Sequence, residues 1–284
     1  MRLTAALLAV AAATALASVA AAATGMPFEQ VEFGEGEYRL RGVLFRPEGP
    51  GPFPAVVALH SCGGLNLSGN RIGTRYHDWG ERLVKAGFVV LYPDSYASRG
   101  LSSQCTTRTS TVRNDRERVA DADAALRWLQ EQSWVVPERI ALLGWSEGGI
   151  SALWAVRPRA RTAAKTPDAK PDFRSAVAFY PGCRRLGYTA WSARVPTLIL
   201  IGRADDQSSA SVCEQMVAGA RGRSARISIV VYPGAYHDFD HPNRPVHMRT
   251  GYAFSVDGSG RVHTGTNPQA RSDAVKRVPE FLSR

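Results

Sequence analysis

The run Arg139-Ile140-Ala141-Leu142-Leu143-Gly144-Trp145-Ser146-Glu147-Gly148-Gly149 limits this chain to few folds. An apolar stretch is cut by two glycines flanking a serine, and Ile150, Leu153, Trp154 and Val156 then recur near helical spacing. The pattern predicts a buried strand, a sharp turn and a helix start. A strand and a helix joined by a single residue crowd each other, so the flanking positions must lack Cβ atoms, as Gly144 and Gly148 do. The hydroxyl of Ser146 is then held clear of the sheet. Whether it is a nucleophile or an ordinary turn serine depends on partners elsewhere in the chain.

Other segments alternate between strand and helix signals. Residues 30–33 and 38–45 read as an antiparallel hairpin around Gly34-Glu35-Gly36-Glu37. Ala55–Leu59, Phe88–Tyr92, Ala176–Tyr180, Pro196–Gly202 and Ile227–Tyr232 are nearly continuous apolar runs, the mark of strands buried on both faces. Helical spacing is found over Trp79–Ala86, Arg116–Gln130 and about Ala210–Ala220. Ser95–Asn114 reads as a long loop, and Arg157–Asp172 as a polar excursion. The expected fold is α/β: a mainly parallel central sheet with helices on both faces, in one domain over residues 23–284.

Ahead of that domain, Arg2 precedes an alanine-rich apolar run, and small residues near Ala22 and Ala23 offer a cleavage site. Residues 1–22 therefore read as a signal peptide, too short for a comfortable membrane span, and the expected location is periplasmic or secreted. Its removal leaves 262 residues and takes away one charge, Arg2, so the formal balance falls from +10 to +9. The basic residues are scattered; the densest group, Arg157 to Arg161, is interrupted by a proline, and no nucleic-acid-binding signature is present. Four cysteines, Cys62, Cys105, Cys183 and Cys213, point to disulfides in an exported chain, with no Cys-x-x-Cys pair to suggest a metal or redox site. Two bridges allow three pairings. Cys183 and Cys213 fall at the same edge of consecutive βα units, which favours their pairing and leaves Cys62 for Cys105.

A serine hydroxyl needs a base to accept its proton and a third group to orient that base. Asp205 lies three residues past Gly202, where a strand ends, and His237 follows the last predicted strand through Pro233-Gly234-Ala235-Tyr236. Ser146, Asp205 and His237 then share the edge formed by the carboxyl ends of the strands, where open α/β sheets place ligands. Asp206 competes with Asp205 for the orienting role, although capping of the next helix suits it better. The developing oxyanion needs backbone donors, for which the amides of Glu147 and Cys62 are the candidates. His237-Asp238-Phe239-Asp240-His241 also has the composition of a metal site, but its surroundings do not support the helix that would align both imidazoles. His60, His77, His247 and His263 show no partner in the sequence.

Together, His60-Ser61-Cys62-Gly63-Gly64, Gly144-Trp145-Ser146-Glu147-Gly148-Gly149, Tyr180-Pro181-Gly182-Cys183, Gly202-Arg203-Ala204-Asp205-Asp206 and Tyr236-His237-Asp238-Phe239 resemble the dienelactone hydrolase family of the α/β-hydrolase superfamily. The resemblance implies Ser146 as nucleophile, Asp205 as acid, His237 as base, and oxyanion amides at Cys62 and Glu147. The name-giving enzymes use a cysteine nucleophile and an acidic residue after the first buried strand; here Ser146 and Ser61 stand in those places. The implied activity is therefore hydrolysis of a small-molecule carboxylic ester or lactone in general, with no cofactor. The same triad serves a secreted serine peptidase where the site grips a peptide, and the scaffold also suits a non-catalytic binding protein.

Overall fold

A computed structural model of the chain describes residues 25–34, 39–158 and 170–284. The expected signal peptide, the tip of the first hairpin and most of the polar excursion, with Arg159 and Arg161 of its basic group, lie outside these residues. Among the described residues the central sheet has eight strands: β1 (Glu29–Phe33), β2 (Leu40–Phe45), β3 (Phe53–Leu59), β4 (Val89–Pro93), β5 (Val135–Trp145), β6 (Ala176–Phe179), β7 (Thr197–Gly202) and β8 (Ile227–Tyr232). Their spatial order is β1-β2-β4-β3-β5-β6-β7-β8, antiparallel from β1 to β4 and parallel from β4 to β8. This is the α/β-hydrolase arrangement. The residues of β4, β6 and β7 are all buried, and burial on both faces accounts for their unbroken apolar sequences.

The helices are α1 (Thr74–Lys85), α2 (Glu117–Gln130), α3 (Glu147–Ala155), α4 (Arg184–Gly187), α5 (Ala210–Gly219) and α6 (Pro268–Ser283). After β3 the chain crosses to β4 on one side and then returns to β5 on the other side of β3. The loops leaving β3 and β5 therefore diverge, and a crevice opens above their carboxyl ends. A short antiparallel ribbon of β9 (His247–Arg249) and β10 (Val262–Thr264) stands apart from the main sheet.

Three helices differ from the sequence expectation, among them the single turn α4, where the sequence predicts no element. The first predicted helix begins five residues early, at Thr74, and its extra turn buries Arg75 and Tyr76. A buried arginine breaks the apolar periodicity by which a helix start is recognised. The last helix, α6, has no counterpart among the expected elements. It buries Ala270, Ala274, Val278 and Leu282 at four-residue intervals, and Asn267 caps it by accepting from the Ala270 amide at 3.0 Å. Pro279 inside it disguises the pattern.

Candidate active site

Ser146 sits between β5 and α3 with φ 53° and ψ −114°, a backbone conformation costly for a residue with a side chain. The turn is held because its surroundings leave no alternative. A Cβ on Gly144 would lie 2.1 Å from the Gly148 carbonyl oxygen, and one on Gly148 would lie 2.0 Å from that of Leu59. Only glycine lets β5, α3 and β3 approach so closely, and the approach aims the Ser146 hydroxyl into the crevice. At β7 a Cβ on Gly202 would lie 2.0 Å from the Ala235 carbonyl oxygen, so the acid loop and the histidine loop are brought together in the same way.

These loops converge. His237 Nε2 lies 2.9 Å from Ser146 Oγ, and His237 Nδ1 lies 2.8 Å from Asp205 Oδ2. An ionised carboxylate only accepts, so Nδ1 carries the proton and Nε2 is left to accept from the serine hydroxyl. All three side chains are buried. Asp205 Oδ1 accepts from the amides of Gln207 at 2.9 Å and Ser208 at 2.8 Å, which fixes the plane of the carboxylate. Burial alone would lower the pKa of His237, but the charge and hydrogen bond of Asp205, with help from Asp238, raise it above its ordinary value.

Asp206 does not cap the following helix, contrary to expectation. Its carboxylate holds His263, accepting from the backbone amide at 2.8 Å and lying 2.7 Å from Nδ1. The turn amides are taken by Asp205 instead, because its loop points inward. His60 is buried and has partners as well. Its Nε2 accepts from the Ser95 amide at 3.2 Å, and Nδ1 donates to the Ser61 carbonyl at 2.8 Å. Burial, followed by the nearby Arg118, lowers its pKa well below the usual value, so it is a neutral core histidine. His77 lies 3.1 Å from the Met26 carbonyl, and His247 lies 2.9 Å from that of Pro245.

Beneath the site is a polar floor that no sequence pattern reveals. Arg75 on α1 pairs with Asp238 and donates to the Tyr180 hydroxyl at 2.7 Å; that hydroxyl donates to Asp240 Oδ1 at 2.6 Å. The other Asp240 oxygen accepts from the indoles of Trp79 at 2.7 Å and Trp145 at 2.8 Å. The Tyr180 ring packs on His237 with centroids 4.4 Å apart. Burial works to raise the pKa of Asp238, yet Arg75, His237 and Arg244 hold it well below the usual carboxylate range. The acids of the suspected metal cluster are thus committed to Arg75, Arg244, Tyr180 and two tryptophans. Among the described residues no group of three or more His, Cys, Asp or Glu is arranged to hold a metal ion.

Above the floor lies a cleft of about 690 Å³ whose lining includes Ser146, His237, Cys62, Arg244, Arg249 and Tyr252. Two segments form its walls, the long 95–114 loop and residues 241–264. Cys62, in the turn after β3, is bonded to Cys105 in the first of these walls, and Cys183 is bonded to Cys213. Glu147 is the first residue of α3, where backbone N–H groups have no acceptor within the helix. Its carboxylate accepts from the Tyr96 hydroxyl at 2.5 Å.

Comparison with known proteins gives this arrangement a family. The model of the dienelactone hydrolase family matches residues 40–284. The chain belongs to the dienelactone hydrolase family. A probable 2-oxo-3-(5-oxofuran-2-ylidene)propanoate lactonase from Bradyrhizobium sp is 26% identical over 238 residues, covering 76% of this chain and 83% of that protein. Among solved structures, a dienelactone hydrolase-like promiscuous phosphotriesterase from metagenomic libraries is similar with a TM-score of 0.65 at 21% identity, covering 92% of this chain and 98% of that one. Thermogutta terrifontis esterase 2, phosphorylated by paraoxon, is similar with a TM-score of 0.62 at 17% identity, covering 91% and 94%. The structural likenesses speak for the shared α/β-hydrolase fold. The family membership makes this chain a hydrolase of that family.

Proposed function

We propose that this protein is an exported serine hydrolase that cleaves a small-molecule carboxylic ester or lactone through an acyl-Ser146 intermediate. The observation that carries the reading is the unbroken line of hydrogen-bond distances from Ser146 Oγ through His237 to Asp205 at the head of an open cleft. As Ser146 Oγ attacks the substrate carbonyl, its proton passes to His237 Nε2, and the imidazolium is stabilised by Asp205. The negative charge on the carbonyl oxygen is met by the amides of Glu147 and Cys62. The ester C–O bond breaks as Nε2 returns the proton to the leaving oxygen. Water, deprotonated by the same nitrogen, then attacks the acyl carbon and releases Ser146.

Arg244 and Arg249 on the cleft wall favour substrates that carry negative charge. Export is supported by two disulfides and by the alanine-rich run at residues 5–17, while no helix among the described residues is long and apolar enough to cross a membrane. Ser146→Ala tests the reading. Turnover of p-nitrophenyl esters and labelling by a fluorophosphonate should both be abolished with the fold intact. Full labelling of the variant would remove Ser146 from its role.

A further inference from the structure

Of the two disulfides, only one touches the cleft. Cys183 and Cys213 are buried in the core, 2% and 0% exposed. Cys62 and Cys105 both line the cleft beside Ser146, and Cys105 is half-buried. A small thiol entering the cleft meets the Cys62–Cys105 bridge and not the buried one. The reachable bridge is also the one whose backbone matters to the chemistry.

The turn that carries the Cys62 amide leaves β3 and is followed by a stretch, Leu65–Gly73, with almost no regular structure. Its ties are few. The Gln104 amide donates to the Cys62 carbonyl at 2.8 Å, and the Ala253 amide donates to the Cys105 carbonyl at 2.9 Å. On the other side, Arg118 donates to the His60 carbonyl at 2.5 Å, and the Ser61 amide donates to the Tyr76 hydroxyl at 2.9 Å. Cys62 is the first residue of the turn with no such anchor to the core side, and the covalent bond to Cys105 takes that place. Leu65 on one side and Tyr96 on the other are buried in the interior, while Cys105 lies in the half-buried middle of the long 95–114 loop, so the bond ties that part of the loop directly to the turn after β3.

We infer that the Cys62–Cys105 disulfide is a redox-addressable positioning element that holds the Cys62 amide where the oxyanion forms, so that the enzyme works fully only in its oxidised form. The inference rests on the assignment of that amide as an oxyanion donor. Opening the bridge is ordinary exchange. A dithiol reductant gives up two electrons, the protein S–S bond breaks, Cys62 and Cys105 each gain a proton, and the reagent closes into its own cyclic disulfide. Backbone atoms are untouched, so the amide remains but is no longer held in place. Deleting one oxyanion donor costs roughly 10²–10³ in kcat, and displacing one should cost part of that, about 10–100-fold. KM should change little, because the developing charge exists only in the transition state. A chain still in a reducing compartment would thus hold its activity in check until export oxidised it.

The test uses the full-length oxidised protein, titrated with dithiothreitol and sampled by alkylation and peptide mass mapping. Cys62 and Cys105 should be alkylated well before Cys183 and Cys213, kcat should fall in step with them at nearly constant KM, and glutathione disulfide should restore it. The double variant Cys62→Ser/Cys105→Ser, which keeps the amide, should show the same lowered kcat and no response to reductant. Cys183→Ser/Cys213→Ser should keep the wild-type kcat. Hydrogen exchange of residues 60–66 should rise in the first variant and not in the second. Wild-type kcat in folded Cys62→Ser/Cys105→Ser, or unchanged exchange over 60–66, overturns the inference while leaving the hydrolase reading standing. Absence of turnover and fluorophosphonate labelling in the oxidised wild type overturns the hydrolase reading itself.

Discussion

Replacing Asp205 by asparagine should disable the site through a specific atom. Asp205 Oδ1 is fixed by two backbone donors, the amides of Gln207 and Ser208. An asparagine keeps its carbonyl oxygen there, since an NH₂ group cannot accept from them. The NH₂ is therefore forced into the Oδ2 position, 2.8 Å from His237 Nδ1. A donor facing Nδ1 drives the imidazole proton to Nε2, and a protonated Nε2 cannot accept from Ser146. In a serine protease, the same substitution of the triad aspartate leaves the geometry intact and the tautomer wrong, and it costs about 10⁴ in kcat, equivalent to about 5.4 kcal/mol. Asp206→Asn disturbs only a partly exposed pair with His263, for which about 1 kcal/mol and less than a tenfold loss is expected. The assay is kcat/KM on a p-nitrophenyl ester, with circular dichroism to check folding. Comparable losses in the two variants, or a larger one in Asp206→Asn, would refute the reasoning and move the acid to the neighbouring residue.

The raised pKa of His237 sets the acid side of the pH profile: half-maximal kcat/KM should fall above 6.5, and Asp238→Asn should move it toward lower pH, because the Asp238 charge helps to raise it. The same shift makes the His237–Asp205 contact most stabilising below about pH 6.5, with that contribution lost as pH rises through the folded-state value, which urea unfolding at several pH values would reveal. Breaking the buried bridge with Cys183→Ser/Cys213→Ser opens a loop of 30 residues and should cost about 3–4 kcal/mol in the chain-entropy model, read as a lower urea midpoint.

What can be read from the sequence is what the backbone alone enforces. Gly144, Ser146 and Gly148 announce their turn because a close approach of strand and helix excludes other residues, and the unbroken apolar runs announce buried parallel strands. Asp205 and His237 are recognisable as polar residues that follow strand ends, so their shared edge is readable even though their mutual distances are not. The polar floor stays hidden, because Arg75 meets Tyr180 and Asp238 across 105 and 163 positions and has no local pattern to betray it. For the same reason Asp206 reads as a local cap, whereas its partner His263 lies 57 positions away. Helix α6 escapes notice through a local ambiguity, since one proline outweighs four regularly spaced apolar residues.

Asp240 carries a consequence for heat. One carboxylate oxygen gathers indole donors from α1 and the end of β5, and the other takes the hydroxyl of Tyr180 just past β6. The elements that hold Ser146 and His237 are thereby pinned to the centre of the sheet by a single buried group. No part of that floor can loosen without leaving a carboxylate and several donors unpaired in the interior, a cost borne only when the sheet itself comes apart. Inactivation by heating should therefore coincide with global melting, and a sample that has lost activity reversibly below its melting temperature must owe the loss to the cleft walls above the floor.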